Sequence, residues 1–257
     1  MADLFASPRL TLARAKHHID EFEALVNKFI ASKPWTSLVD KDTNPGRDLH
    51  KIRFTPFPEM LPCILFDAAN NLRAVLDQVG YASAVAARSP LLKATKFPFG
   101  PSEEKWRNDV AGGCKDLPPE VRAIFERHKS YPGGNDSLWA TNEIANAAKH
   151  LALKPLVVAS PSAFYNARIT DHRGTGYIVS PGGFGIGWDA EKREVTLLDV
   201  PTGAQADINS NVSFEGAIND IEVLASQPAV SVLSIVYREV GTILGDVETE
   251  CRHLGFI

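Results

Sequence analysis

Cysteine is scarce in this chain: there are three, Cys63, Cys114 and Cys251, and no CxxC. That spacing excludes a disulfide framework and a zinc knuckle. Cys63 and Cys251 sit among apolar residues of predicted helices, where a free cysteine acts as a small buried hydrophobe, as in a reducing compartment. Charge of one sign is also lacking. The formal net charge is −4, which leaves no basic footprint for duplex nucleic acid, although a local basic patch stays compatible with it. No apolar run reaches the length of a bilayer span, and the opening MADLFASPRLTLARAKHHIDEF has no signal-peptide pattern. A cytoplasmic protein without a membrane partner is expected.

Motifs of established chemistry are absent too. The sequence contains no HExxH, GxSxG, Walker loop or kinase signature, and nothing nominates a metal or a cofactor. His17 and His18 are read on the polar side of the first helix, where adjacent side chains diverge and make a poor metal pair. The glycines from Gly182 to Gly187 are followed by a β-type run and not by a helix N-terminus. They suit a hairpin better than a phosphate loop.

What is present is ordinary globular material, with 44% hydrophobic and 23% charged residues over 257 positions. That length is near the upper limit of a single core. Periodicity predicts helices from about Pro8 to Ile30, Leu61 to Arg88, Pro119 to His128, Asp136 or Ser137 to about Leu153, and Ala229 to Leu254. Ser32 to Asp48 reads as a loop, His50 to Thr55 as a short strand, and Ser89 to Pro119 as irregular. The closely spaced runs PLVVAS, FYNARIT, GYIVS, FGIGWD and EVTLLDV predict an antiparallel meander, with a further extended stretch around Val212 to Leu224. The expected class is α+β, as one domain with two lobes. A mainly helical part covers 1–154, a β part 155–227, and a C-terminal helix 228–257 packs back on the helical part. The apolar stripe of that last helix also suits a homodimer interface.

Two helices carry patterned polar residues. In NNLRxxLD, Asn70, Arg73 and Asp77 share one sector of a helix, opposite its leucine stripe. In LWATNEIANAAKH, Asn142, Asn146 and Lys149 share a sector, with His150 beside it. Asparagine is a mediocre helix former, so Asn142 and Asn146 in one helix point to interhelical hydrogen bonds. Solvated faces are one reading. A second is a buried network in which Arg73 and Asp77 meet Asn142, Asn146 and Lys149. A third is a binding set of Asn70, Arg73, Asn142, Asn146 and Lys149.

Taken together, NLRxxLD, a later FP and YPGGNDxLWxxNExxNxxKH resemble a widespread family of uncharacterised bacterial and prophage-associated proteins, over roughly residues 60 to 155. The resemblance implies an accessory of a mobile-element or defence locus and brings no activity with it. A more remote similarity is to HEPN-type helical domains, many of which are metal-independent ribonucleases with an Arg and a His four to six residues apart on one helix. In this sequence Gln78 occupies the position of that histidine, which removes the acid or base needed for cleavage by a ribose 2′-hydroxyl. On that similarity the catalytic candidates are Arg73, Asp77, Lys149 and His150, provided the two helices pack side by side. Three functions follow: a non-catalytic binding protein, a HEPN-like ribonuclease, or a small-molecule site. In the last, Arg73 or Lys149 holds an anionic group and Trp139 or Trp188 forms a wall.

Overall fold

The computed structural model describes residues 3–41, 46–150, 156–170, 176–179, 188–189, 191–218 and 227–257. Their elements, in chain order, are α1 (Ala6–Ala31), β1 (Trp35–Lys41), β2 (Arg47–Phe54), α2 (Leu61–Ala86), α3 (Glu103–Gly113), α4 (Pro119–Arg127), α5 (Asp136–His150), β3 (Leu156–Thr170), β4 (Gly176–Val179), β5 (Trp188–Asp189), β6 (Glu194–Pro201), β7 (Gln205–Ile218) and α6 (Ala229–His253). The protein is α+β. No described helix is long and apolar enough to cross a membrane. The chain forms two compact units: a helical one from Met1–Val26, Glu59–Leu156 and Ile218–Ile257, and a sheet-containing one from Asn27–Pro58 and Val157–Ala217. The Gly182 to Gly187 run lies outside the described residues.

In the helical unit α2 is the central element. Its predicted stripe, Leu61, Leu65, Ala68, Leu72, Val75, Leu76 and Val79, is buried. Ala69, Ala82 and Ala84 are buried as well, and such small residues let neighbouring helices approach closely. Helix α6 packs on α2, α4 and α5 through Leu233, Val236, Val240, Leu244 and Val247, all buried. The apolar stripe of α6 is thus met by helices of its own chain. Across α1, Gln78 of α2 accepts hydrogen bonds from the hydroxyls of Ser7 (3.2 Å) and Thr11 (3.0 Å).

His18 departs from the expected polar side of α1. Its side chain is 12% exposed, and both ring nitrogens are buried without a hydrogen-bond partner. Glu21 Oε2 is 3.7 Å from Nδ1, too far for a hydrogen bond. His17 keeps to the exposed face. Unsatisfied buried polar atoms cost stability, so His18→Leu is expected to raise the unfolding free energy by about 1 kcal/mol in urea titrations. A loss of stability would show that the imidazole is bonded.

The stretch Ser89 to Pro119, read as irregular, contains α3. Its start is signalled by Ser102, whose Oγ accepts from the Lys105 amide at 3.3 Å, and by Glu103 and Glu104 in the first turn. Trp106 and Val110 are its buried residues, a stripe too sparse to stand out in the sequence.

Ahead of α3, residues 93–100 form a strap without regular secondary structure, and carboxylates from three places take its amides. Asp116 accepts from Lys93 (3.1 Å) and Ala94 (2.9 Å), Asp77 from Phe97 (3.2 Å), and Asp109 from Phe99 (3.1 Å). This meets the requirement that buried backbone donors find acceptors outside a sheet or helix. The Cys114 thiol donates to the Lys96 carbonyl at 3.1 Å. Burial pushes that thiol up to about 12, so it stays a proton donor and not a nucleophile. The strap crosses α2 at Gly80, where a Cβ would stand 2.0 Å from the Thr95 carbonyl oxygen.

Between α4 and α5 the turn Tyr131-Pro132-Gly133-Gly134 folds tightly enough that a Cβ at Gly134 would lie 2.3 Å from the Lys129 carbonyl oxygen. The cap of α5 is Asn135, not Asp136 or Ser137 as expected. Its Oδ1 accepts from the Leu138 amide at 3.0 Å, while Asp136 accepts from Gly133 at 2.7 Å. Asn135 Nδ2 also donates to Glu239 Oε1 at 2.5 Å, and His128 Nδ1 is 2.9 Å from the same oxygen. One carboxylate of α6 therefore ties down both ends of the turn.

The sheet-containing unit corrects the loop expected from Ser32 to Asp48. Most of it is strand: β1 pairs antiparallel with β2 from Trp35↔Phe54 to Lys41↔Asp48. The strand order is β1-β2-β6-β5 in one sheet and β4-β3-β7 in the other, so the expected single meander is two sheets. LVVAS and FYNARIT lie in one strand, β3, in which Pro161 is outside the register paired with β4. Between β2 and β6 the pairing passes from His50↔Leu198 to Lys51↔Thr196. Leu197 is the extra residue of a bulge, which turns both Leu197 and Leu198 into the core. They pack with Ile52, Phe54, Ile169, Val195 and Val200. On the other face of β2, Arg53 and Lys51 reach the 4% exposed Glu194 of β6 at 2.5 and 3.5 Å.

Candidate functional site

Helices α2 and α5 pack against each other within the helical unit, the side-by-side arrangement on which the polar motifs depend. At the contact Arg73 Nε donates to Asn142 Oδ1 at 2.7 Å. Asn142 is only 7% exposed, and its Nδ2 donates to Glu143 Oε1 at 3.3 Å. The amide is thus used at both ends, which explains an asparagine in mid-helix. The guanidinium carbon of Arg73 lies 5.9 Å from the centroid of the Phe99 ring, within cation–π range. Phe99 is fixed in turn by its amide on Asp109 and by the Phe97 ring 5.2 Å away.

The Arg73–Asn142 part of the expected network is present. Asp77, one turn after Arg73, directs a carboxylate oxygen to the Phe97 amide of the strap. Asn70 and Asn146 are half-buried, one turn to either side of the contact. The side chains of Lys149 and His150 lie outside the described residues. Gln78 turns to α1, as described, because five residues carry it about 140° around the helix from Arg73.

Sequence reasoning missed Phe99. It named Trp139 or Trp188 as an aromatic wall, but the ring against Arg73 is Phe99. Trp139 is half-buried with its Nε1 unpartnered, and Trp188 packs edge-on to Phe54 in the sheet-containing unit at 5.7 Å. The FPF run gave the only signal, and hydrophobic runs of that kind ordinarily mark core. Among the described residues no group of three or more His, Cys, Asp or Glu is placed to hold a metal ion.

Chemically, the cluster presents a cation, an amide and an aromatic ring, with the guanidinium held at one nitrogen and against one face. Such a set orients an anionic or planar group by hydrogen bonds and stacking. No family model, curated protein or solved structure matches the chain.

Proposed function

We propose that this chain acts by binding and not by chemistry, with the contact made at the Arg73 face of the α2–α5 pair. The observation that supports this is the 2.7 Å bond from Arg73 to Asn142 beside the Phe99 ring. Arginine, asparagine and phenylalanine recognise a partner well, and none of them supplies a nucleophile or a proton-transfer group near neutral pH. The position that would carry the histidine of a HEPN-type ribonuclease is Gln78, which is bonded to α1. On the motif resemblance, the biological role is that of an accessory in a bacterial mobile-element or defence locus.

Two assays on the full chain test this reading. RNA incubated with the protein without added metal is expected to stay intact. Thermal stabilisation by members of a panel of nucleotides, small acids and acidic peptides is expected in the wild type and lost in Arg73→Gln. Metal-independent cleavage abolished by Arg73→Ala would overturn the reading, as would a panel in which no anionic compound stabilises the wild type.

A further inference from the structure

Arg73 is held differently from the ion-paired arginines of the helical unit. Arg9, Arg107, Arg122 and Arg252 each meet a carboxylate, whereas Arg73 bonds a neutral amide and rests against a ring. Among the described residues, the buried polar atoms without a partner belong to His18, Trp106 and Trp139. No described acceptor takes the terminal nitrogens of Arg73, and the residue is half-buried, with part of its surface reaching solvent. A guanidinium has five donors in a rigid planar fork. Here the Nε edge is anchored by Asn142 while no described acceptor takes the outer edge, so little ordering is needed to receive a ligand.

Resting on the binding reading above, we propose that this fork is the docking point for a single carboxylate, carried by a small organic acid or by a peptide. The planar fork matches a carboxylate through two parallel hydrogen bonds. Charge sets the preference between anions. Asn142 holds the Glu143 carboxylate on its other end, so a fixed negative charge stands one amide group from the guanidinium. A ligand with one negative charge is drawn to Arg73. The second charge of a phosphate dianion meets added repulsion from Glu143, whereas a carboxylate presents the flat two-oxygen edge that the fork matches with a single charge.

The test is an NMR titration of the isotopically labelled full chain, following the Arg73 Nε–H and Asn142 side-chain amide signals at constant ionic strength. The probes are acetate, an acetylated dipeptide with a free C-terminal carboxylate, the same dipeptide as its C-terminal amide, and inorganic phosphate. Saturable shifts are expected with acetate and the dipeptide acid and not with the amide. Tighter binding of the dipeptide acid identifies a peptide as the source of the carboxylate, and equal binding identifies a small acid. In Arg73→Gln the Asn142 response should weaken roughly tenfold or more, with Arg73→Lys intermediate because it keeps the charge without the fork. Phosphate binding as tightly as acetate would overturn the carboxylate assignment and leave the binding reading standing. No saturable shift with any anion would overturn the inference, and the RNA and thermal assays would then decide the wider reading.

Discussion

Gly80→Ala is expected to destabilise the helical unit by about 3 kcal/mol or more, at the upper end of overpacking costs, and to lower its unfolding midpoint by about 6–12 °C. The cause is backbone against backbone. The added methyl would stand 2.0 Å from the Thr95 carbonyl oxygen and 3.2 Å from its carbon, with the Phe125 ring at 3.4 Å. A flexible side chain yields to such an intrusion, but a carbonyl of a tethered strap does not. Thr95 lies between the Asp116 bonds at Lys93 and Ala94 and the Asp77 bond at Phe97. Relief therefore requires the strap to leave α2 or those bonds to break. Helix propensity acts the other way, since alanine is favoured over glycine in a helix interior by about 1 kcal/mol. A variant as stable as the wild type in thermal and urea unfolding would show that the strap does not lie on α2 at this point.

Asp77→Ala is expected to cost about 2 kcal/mol, within the range for leaving a buried donor unsatisfied. Phe97, whose amide donates to Asp77, is 2% exposed and packs at a tilt against the Phe125 ring, 4.8 Å between centroids, so water cannot replace the lost acceptor cheaply. Asp77→Asn keeps an acceptor oxygen for the Phe97 amide and should be less destabilised than Asp77→Ala. Hydrogen exchange provides the local readout: the Phe97 amide should lose protection in the alanine variant and retain it in the asparagine one. Unchanged protection in Asp77→Ala would remove Asp77 from its place as the acceptor of the strap.

These two sites show where the sequence is legible and where it is not. The stripes of α1, α2 and α6 repeat at helical spacing over 25 residues or more, long enough to stand above noise. The Arg73–Asn142 bond is legible for a different reason. Two asparagines one turn apart in an alanine-rich helix need a partner, and an arginine on another helix can supply it. Phe99 cannot be found that way, because an aromatic ring beside a cation reads like any core residue until the path of the strap is known. The same holds for Gly80 and Asp77. Their roles depend on a segment whose amides at Lys93, Ala94, Phe97 and Phe99 bond to carboxylate side chains, and such bonds leave no period in the sequence.

Strand β1 is hidden by composition. Only Trp35 and Leu38 are half-buried in it, and the other five residues are exposed, so an edge strand with little apolar alternation looks like a loop. The bulge in β6 defeats alternation directly, since Leu197 and Leu198 both face inward.

The division of the chain has a consequence for the order in which it folds. The helical unit is assembled from three separated stretches, and the last of them carries α6. Its core lacks Leu233, Val236, Val240 and Val247 until that helix arrives. A growing chain therefore holds the apolar flanks of α2 and α5 unsealed while more than seventy intervening residues are synthesised. During that interval the partly built helical unit is a natural client for a chaperone, and the sheet-containing unit, whose second stretch ends at Ala217, has all its strands first.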